Sequence, residues 1–257
     1  MSEVPNIGPM ERGASGLAPV RRSVWRYMGL MGLLQLLAAW SFFDGGHLAL
    51  YLSIALPWTL VVGFLLSANV HLLYTPEGRP LNHLNLATRV TLVRILAIPL
   101  IFQLIVEGRF LTAGVTFLVA ALTDWLDGFL ARRMNEVTQL GRRVDPSIDG
   151  IICFLTFLSL YVSGHIPVWL MLLVALRYGT LVTGAISLKA KLGHLPVRAT
   201  FLGRFFYFIQ YGLLVLYLFS GGSLPWQVFL VPLATVQIVV SVQLLGLGSS
   251  LYREHRS

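Results

Sequence analysis

The sequence predicts an all-α integral membrane protein of eight transmembrane spans, with both termini in the cytoplasm. Three observations carry that expectation. First, 56% of the 257 residues are hydrophobic and only 12% charged, with a mean hydropathy of +0.75, whereas soluble domains carry about a quarter charged residues. Second, the apolar residues gather in runs of about 20, the length that crosses a hydrocarbon core. Third, the 19 Lys and Arg fall almost entirely in alternate connections between those runs, the asymmetry that the positive-inside rule produces.

The elements follow in order. Residues 1–24 hold Gly, Pro, Ser and Arg with little apolar periodicity and read as a disordered cytoplasmic tail; the first apolar run starts too late for a cleaved signal peptide. Spans are expected near 27–43, 48–73, 90–106, 110–130, 147–163, 166–188, 201–220 and 224–248. One set of connections is short and nearly uncharged: "DGGH" (44–47), "EGR" (107–109), "SGH" (163–165) and "SGGS" (220–223). The other set, with the termini, holds every basic residue except Arg109 and the intramembrane Arg177. "YTPEGRPLNHLN" (74–85) marks a seam. Residues 25–85 are therefore expected to add two helices and a linker before a six-helix domain at 86–257. No internal repeat is evident. The net charge of +8 reads as topology plus attraction to anionic membrane lipid, not as a nucleic-acid surface. A single cysteine, Cys153, excludes an intramolecular disulfide. The histidines (His47, His71, His83, His165, His194 and His255) have no metal-ligand spacing.

Against this background the stretch "DWLDGFLARRMNEVTQLGRRVDPSID" (124–149) stands out for its four aspartates. On a helix Asp124 and Asp127 share a face, and so do Asp145 and Asp149. Two antiparallel helices joined by a loop of roughly 15 residues can bring the pairs together at the membrane surface. Clustered carboxylates raise one another's pKa unless cations join them, and an all-oxygen donor set suits hard divalent ions such as Mg²⁺ or Mn²⁺. Two such pairs suffice for a two-metal site, an arrangement that performs in-line displacement at phosphorus. Gly128 and Ala131 continue the Asp124 stripe with small side chains, so a bulky ligand can approach the backbone. Arg132 offers a planar fork to a phosphate, and Gly141 permits a tight turn before the second pair. Placing each aspartate at depth costs on the order of 3 kcal/mol, which argues against mere solvated charge.

The pattern Asp124–x2–Asp127–Gly128–x2–Ala131–Arg132–x8–Gly141–x3–Asp145–x3–Asp149 resembles the signature of the CDP-alcohol phosphatidyltransferases, with every fixed position filled. "TRVTLVRILAIP" (88–99) is similar to the first core helix of phosphatidylglycerophosphate synthases. "PVRATFLGRFFYFIQ" (196–210) is similar to the start of the fifth core helix in those enzymes and in cardiolipin synthases. The first two spans lie outside the resemblance. It implies a six-helix catalytic core that transfers a phosphatidyl group from CDP-diacylglycerol to the hydroxyl of a small polar acceptor, releasing CMP. It further implies that Asp124, Asp127, Asp145 and Asp149 hold two divalent metal ions, with Asp149 also the general base. Gly128, Ala131, Arg132, Gly141 and Thr91 would serve the CDP donor. The site would lie at the cytoplasmic face of a multi-pass membrane protein (the inner membrane in a bacterium), in a homodimer.

The acceptor is read from basic residues. Arg177 lies within a span, where an arginine is a functional candidate by default; with Lys189, Lys191, Arg198 and Arg204 it suits an anionic acceptor, glycerol 3-phosphate being the expectation. Inositol phosphate, serine, phosphatidylglycerol or another alcohol are the alternatives. Relatives that use glycerophosphate usually carry an acidic residue after the arginine matched to Arg177, and Lys after the last motif aspartate; this chain has Tyr178 and Gly150. A competing class is an ion or proton transporter using the aspartates, but transport needs polar groups spread through the bilayer, whereas these gather at one surface.

Overall fold

The computed structural model describes residues 14–70, 84, 86–133, 139–192, 201–224 and 231–239; the side chains of 14–17, 86–87, 124–147, 149, 185, 187–192, 201–204 and 206–207 lie outside the described set. Among the described residues every regular element is helical. The helices are α1 (Ala14–Phe42), α2 (Gly45–Ala68), α3 (Leu86–Val106), α4 (Phe110–Arg133), α5 (Gln139–Val162), α6 (Val168–Leu192) and α7 (Phe201–Phe219), followed by α8 at residues 231–239. Two of them, α2 and the Thr88–Val106 part of α3, are long and apolar enough to cross a membrane; shorter apolar stretches lie within α4, α5, α6 and α7. Only 22% of the apolar window of α2 is buried, unlike the core helix of a water-soluble domain. Trp40 is 80% exposed and Phe208 77%, a surface suited to lipid.

Three of the four short connections, those at 107–109, 163–165 and 220–223, end their helices in one way. Gly108, with φ +72°, donates to the Ile105 carbonyl, while the Arg109 N–H reaches back to Leu104. That is a Schellman cap, which satisfies the last carbonyls of α3 and needs a residue free to adopt positive φ. Gly164 closes α5 in the same manner, with bonds to Tyr161 and from His165 to Leu160.

The helices group into two compact units. The first comprises residues 1–100 and 118–149, hence α1, α2, the beginning of α3, the end of α4 and the beginning of α5. Its core joins Val20, Val24, Met28 and Met31 of α1 to Leu66, Val70, Leu84, Leu92 and Leu96. Spacings of three and four put the α1 residues on one face, and that face explains a difference from expectation. Helix α1 starts at Ala14, so the second half of the tail expected to be disordered is helical, with Val20 and Val24 buried in the core. Helices α1 and α2 approach closely at Gly63, where an added Cβ would stand 2.9 Å from Met28 Cγ. The Ser23 hydroxyl takes the Leu84 N–H at 3.3 Å, the Tyr27 hydroxyl donates to the Arg89 carbonyl at 2.7 Å, and the Gln35 amide donates to the Leu96 carbonyl at 3.0 Å. These partners ascend together, so α1 runs parallel to α3. Apart from Leu84, the expected seam at 74–85 lies outside the described residues.

The second unit comprises residues 101–117 and 150–257. Phe157, Leu160, Leu170, Val174, Leu214 and Leu233 are fully buried in it. Helix α8 carries the described part of the last expected span.

Candidate active site

The motif occupies two helices of the first unit. Asp124, Asp127, Gly128, Ala131 and Arg132 fall in the last turns of α4, and Asp145 and Asp149 fall in α5. Their side chains lie outside the described set, so register carries the geometry. On α4 the stripe Ala113, Phe117 and Ala120 is buried while Val115, Val119 and Leu122 are exposed. Steps of three, four and seven extend the buried stripe to Asp124 and Asp127. On α5 Ile152, Cys153, Thr156 and Leu160 are buried and Ile151, Tyr161 and Val162 exposed. Running that stripe back by fours from Cys153 reaches Asp149 and Asp145. Each aspartate pair thus continues, by helical register alone, the stripe that is buried further along its own helix.

The connection is shorter than expected. Helix α4 runs to Arg133 and α5 begins at Gln139, so residues 134–138 replace a loop of roughly 15 residues. Gly141 therefore lies within the first turn of α5 and not in a tight turn; the first turn has no intrahelical N–H bonds to lose, so a glycine is tolerated there. Among the described residues no three His, Cys, Asp or Glu gather as metal ligands. The four aspartates, as oxygen donors in two pairs, match the chemistry of a hard divalent ion.

Other proposed site residues are distributed as follows. Thr91 is buried in α3, Lys189 and Lys191 lie near the end of α6, Arg204 lies in α7, and Arg198 is outside the described residues. Arg177 is fully placed: 4% exposed in α6, its Nη1 donating to Gln210 Oε1 of α7 and, at 2.9 Å, to Gln237 Oε1 of α8. Its Nε is buried with no hydrogen-bond partner among the described residues. Gln210 Nε2 reaches Cys153 Sγ at 3.4 Å. Tyr178 lies beside both Cys153 and Gln210; its ring meets Phe154 edge-on at a centroid distance of 5.7 Å and covers Gly150, where a Cβ would stand 3.2 Å from Tyr178 Cε1. The two positions where the sequence departs from glycerophosphate-using relatives are therefore in contact with each other.

Sequence reading missed several polar residues. Gln210 and Gln237 complete the Arg177 cluster, and the signal was available, since amides within apolar helices mark interhelical bonding. Arg94, taken as a topology charge, is 2% exposed. The cue applied to Arg177, an arginine within an apolar run, identifies Arg94 as well.

Comparison with known proteins bears on what these helices do. The profile of the CDP-alcohol phosphatidyltransferase family matches residues 84–243. A CMP-forming cardiolipin synthase of Streptomyces coelicolor is 31% identical over 169 residues, which are 63% of this chain and 75% of that protein. The CDP-diacylglycerol–glycerol-3-phosphate 3-phosphatidyltransferase of Escherichia coli K12 is 40% identical over 88 residues, 33% of this chain and 47% of that enzyme. With the profile covering the greater part of its length and the aspartate pattern inside the match, this chain belongs to the CDP-alcohol phosphatidyltransferase family.

Proposed function

We propose that this protein transfers a phosphatidyl group from CDP-diacylglycerol to the hydroxyl of glycerol 3-phosphate, releasing CMP. The observation that carries the reading is the family match over 84–243, with the complete aspartate pattern within it. In this scheme Asp124, Asp127, Asp145 and Asp149 hold two divalent cations, Mg²⁺ or Mn²⁺, which when bound neutralise charge on the donor diphosphate. Arg132 pairs with a diphosphate oxygen, Gly128 and Ala131 leave room for the nucleotide, and Thr91 and Gly141 belong to the donor side. Asp149 takes the proton of the acceptor hydroxyl. The oxygen so freed attacks the phosphorus bearing the diacylglycerol, and the bond to CMP breaks.

Arg177, with Lys189, Arg198 and Arg204, is assigned to the acceptor. Its described partners are neutral amides, so no neighbouring anion among the described residues cancels its charge, and a phosphate-bearing acceptor suits it. Phosphatidylglycerol is the second reading, favoured by the wider match to the Streptomyces protein named as a cardiolipin synthase. Eight spans, cytoplasmic termini, a site at the cytoplasmic face and a homodimer complete the proposal; the basic ends of α1 and α3 lying together through Ser23–Leu84 and Tyr27–Arg89 support that topology.

The test is incubation of purified protein with CDP-diacylglycerol, Mg²⁺ or Mn²⁺ and a panel of alcohols, with product lipids identified by mass spectrometry. Phosphatidylglycerophosphate and CMP are expected with glycerol 3-phosphate. Cardiolipin from phosphatidylglycerol would select the second reading. Ion flux in proteoliposomes without CMP release would replace both with a transporter.

A further inference from the structure

Pro99 lies inside α3, where it has two consequences for the backbone. It has no N–H, so the carbonyl four residues back, that of Ile95, loses its helical partner. Its ring also crowds that same Ile95 carbonyl and opens the turn around it. In lipid that oxygen cannot turn to water, and a proline within a spanning helix is tolerated only where neighbours supply replacement donors.

The N-terminal hairpin supplies donors to this turn. Trp58 of α2 donates its indole N–H to the Ile95 carbonyl at 3.0 Å. Gln35 of α1 donates its amide to the Leu96 carbonyl at 3.0 Å. Gln35 is itself held, since the Thr59 hydroxyl lies 2.6 Å from Gln35 Oε1 and so turns the amide nitrogen toward α3. Gln35 and Thr59 are each 5% exposed, and ordering them serves no other described group than this and the local Ala55 carbonyl, 2.8 Å from the Thr59 hydroxyl. The broken turn lies inside the family match at 84–243, whereas its donors lie outside it.

We infer that Trp58 and Gln35 are positioning residues: Trp58 caps the carbonyl released by Pro99, Gln35 adds a bond to the next carbonyl, and the α1–α2 hairpin so fixes the segment of α3 that carries Thr91 and Arg94. The hairpin is thereby an integral part of the unit that contains all four motif aspartates, and not a detachable anchor. Its effect on catalysis rests on the proposed transferase reading; its effect on α3 does not.

The experiment uses the full-length protein in lipid nanodiscs. Trp58→Phe keeps the aromatic bulk but removes the donor, and Gln35→Met keeps length but removes the amide. Pro99→Ala returns an N–H that can bond the Ile95 carbonyl internally, making Trp58 dispensable. Hydrogen exchange across residues 92–104 should rise roughly tenfold in Trp58→Phe, the scale of one buried carbonyl left unpaired, with little change elsewhere. It should return to the parent level in the Trp58→Phe/Pro99→Ala double variant. Steady-state kinetics should show the KM for CDP-diacylglycerol rising several-fold at unchanged kcat, with the same rescue. An equal effect of Trp58→Phe in the parent and in the Pro99→Ala background would overturn the inference. So would a rise in exchange spread over the whole chain, which also decides the matter if Pro99→Ala does not fold. Failure of the transferase reading would appear as absence of CMP release in the parent protein while the exchange result stands.

Discussion

The contact between Gly150 and Tyr178 yields a prediction whose size can be worked from the structure. Gly150 follows the proposed base Asp149 in α5, and its missing side chain is filled by the Tyr178 ring. Alanine at an open helical glycine gains about 1 kcal/mol through helix propensity. Gly179 provides that reference, since a Cβ there would meet nothing within 4 Å. At Gly150 the same Cβ would meet Tyr178 Cε1 at 3.2 Å and Cδ1 at 3.7 Å, and Phe154 stands against the ring. Overpacking of this kind costs about 1–3 kcal/mol. Gly150→Ala should therefore be less stable than Gly179→Ala by that amount, or about 2–12 °C in Tm at the 2–4 °C per kcal/mol expected for a chain of this size. Tyr178→Leu removes the ring edge, so the Gly150→Ala/Tyr178→Leu pair should show a coupling of about 1–3 kcal/mol. Thermal unfolding in detergent, followed by circular dichroism, measures both. If Tyr178 also shapes the acceptor side, Gly150→Ala raises the KM for the acceptor and leaves that for CDP-diacylglycerol unchanged. Identical melting of the two alanine variants, with no coupling to Tyr178, would refute the packing argument.

Four further outcomes are expected. Asp149→Asn should lower CMP release by at least about 100-fold, the usual contribution of a positioned base, and EDTA should abolish release until Mg²⁺ or Mn²⁺ is returned; both are read by chromatography of CMP. Arg177→Met should raise the KM for glycerol 3-phosphate by about tenfold or more, with Arg177→Lys intermediate because an ammonium keeps the charge but lacks the planar fork that pairs with a phosphate, Nη1 alone being the nitrogen that meets Gln210 and Gln237. Phe157→Ala, at a fully buried position of the second unit, should destabilise by about 3–5 kcal/mol, measured as the shift in thermal midpoint with the specific activity of the surviving protein unchanged.

Helical character was legible in the sequence because runs of apolar residues longer than a strand leave few alternatives, and the helix ends were legible at "EGR" and "SGH" because a capping glycine has a local signature. The start of α1 was not. Residues 14–24 lack a continuous apolar run, and only the packing of Val20 and Val24 against Leu84, Leu92 and Leu96 gives that segment a reason to be helical. The α4–α5 connection was misjudged for a related reason. The polar first turns of α5, through Gly141 and Arg142, interrupt the hydropathy pattern but not the hydrogen bonding of the helix.

The sequence by itself determined which family the chain belongs to and which donor atoms its motif offers: four aspartates at helical spacing, with small residues and an arginine between them, are a local pattern whose donor atoms follow from residue type alone. Tertiary structure decided the company each polar side chain keeps. That Arg177 faces two amides, that Tyr178 lies on Gly150, and that Trp58 and Gln35 meet the carbonyls beside Pro99 all depend on helices distant in sequence. No local pattern encodes those pairings, because a buried hydrogen bond is chosen by whichever donor the packing of neighbouring helices brings within reach.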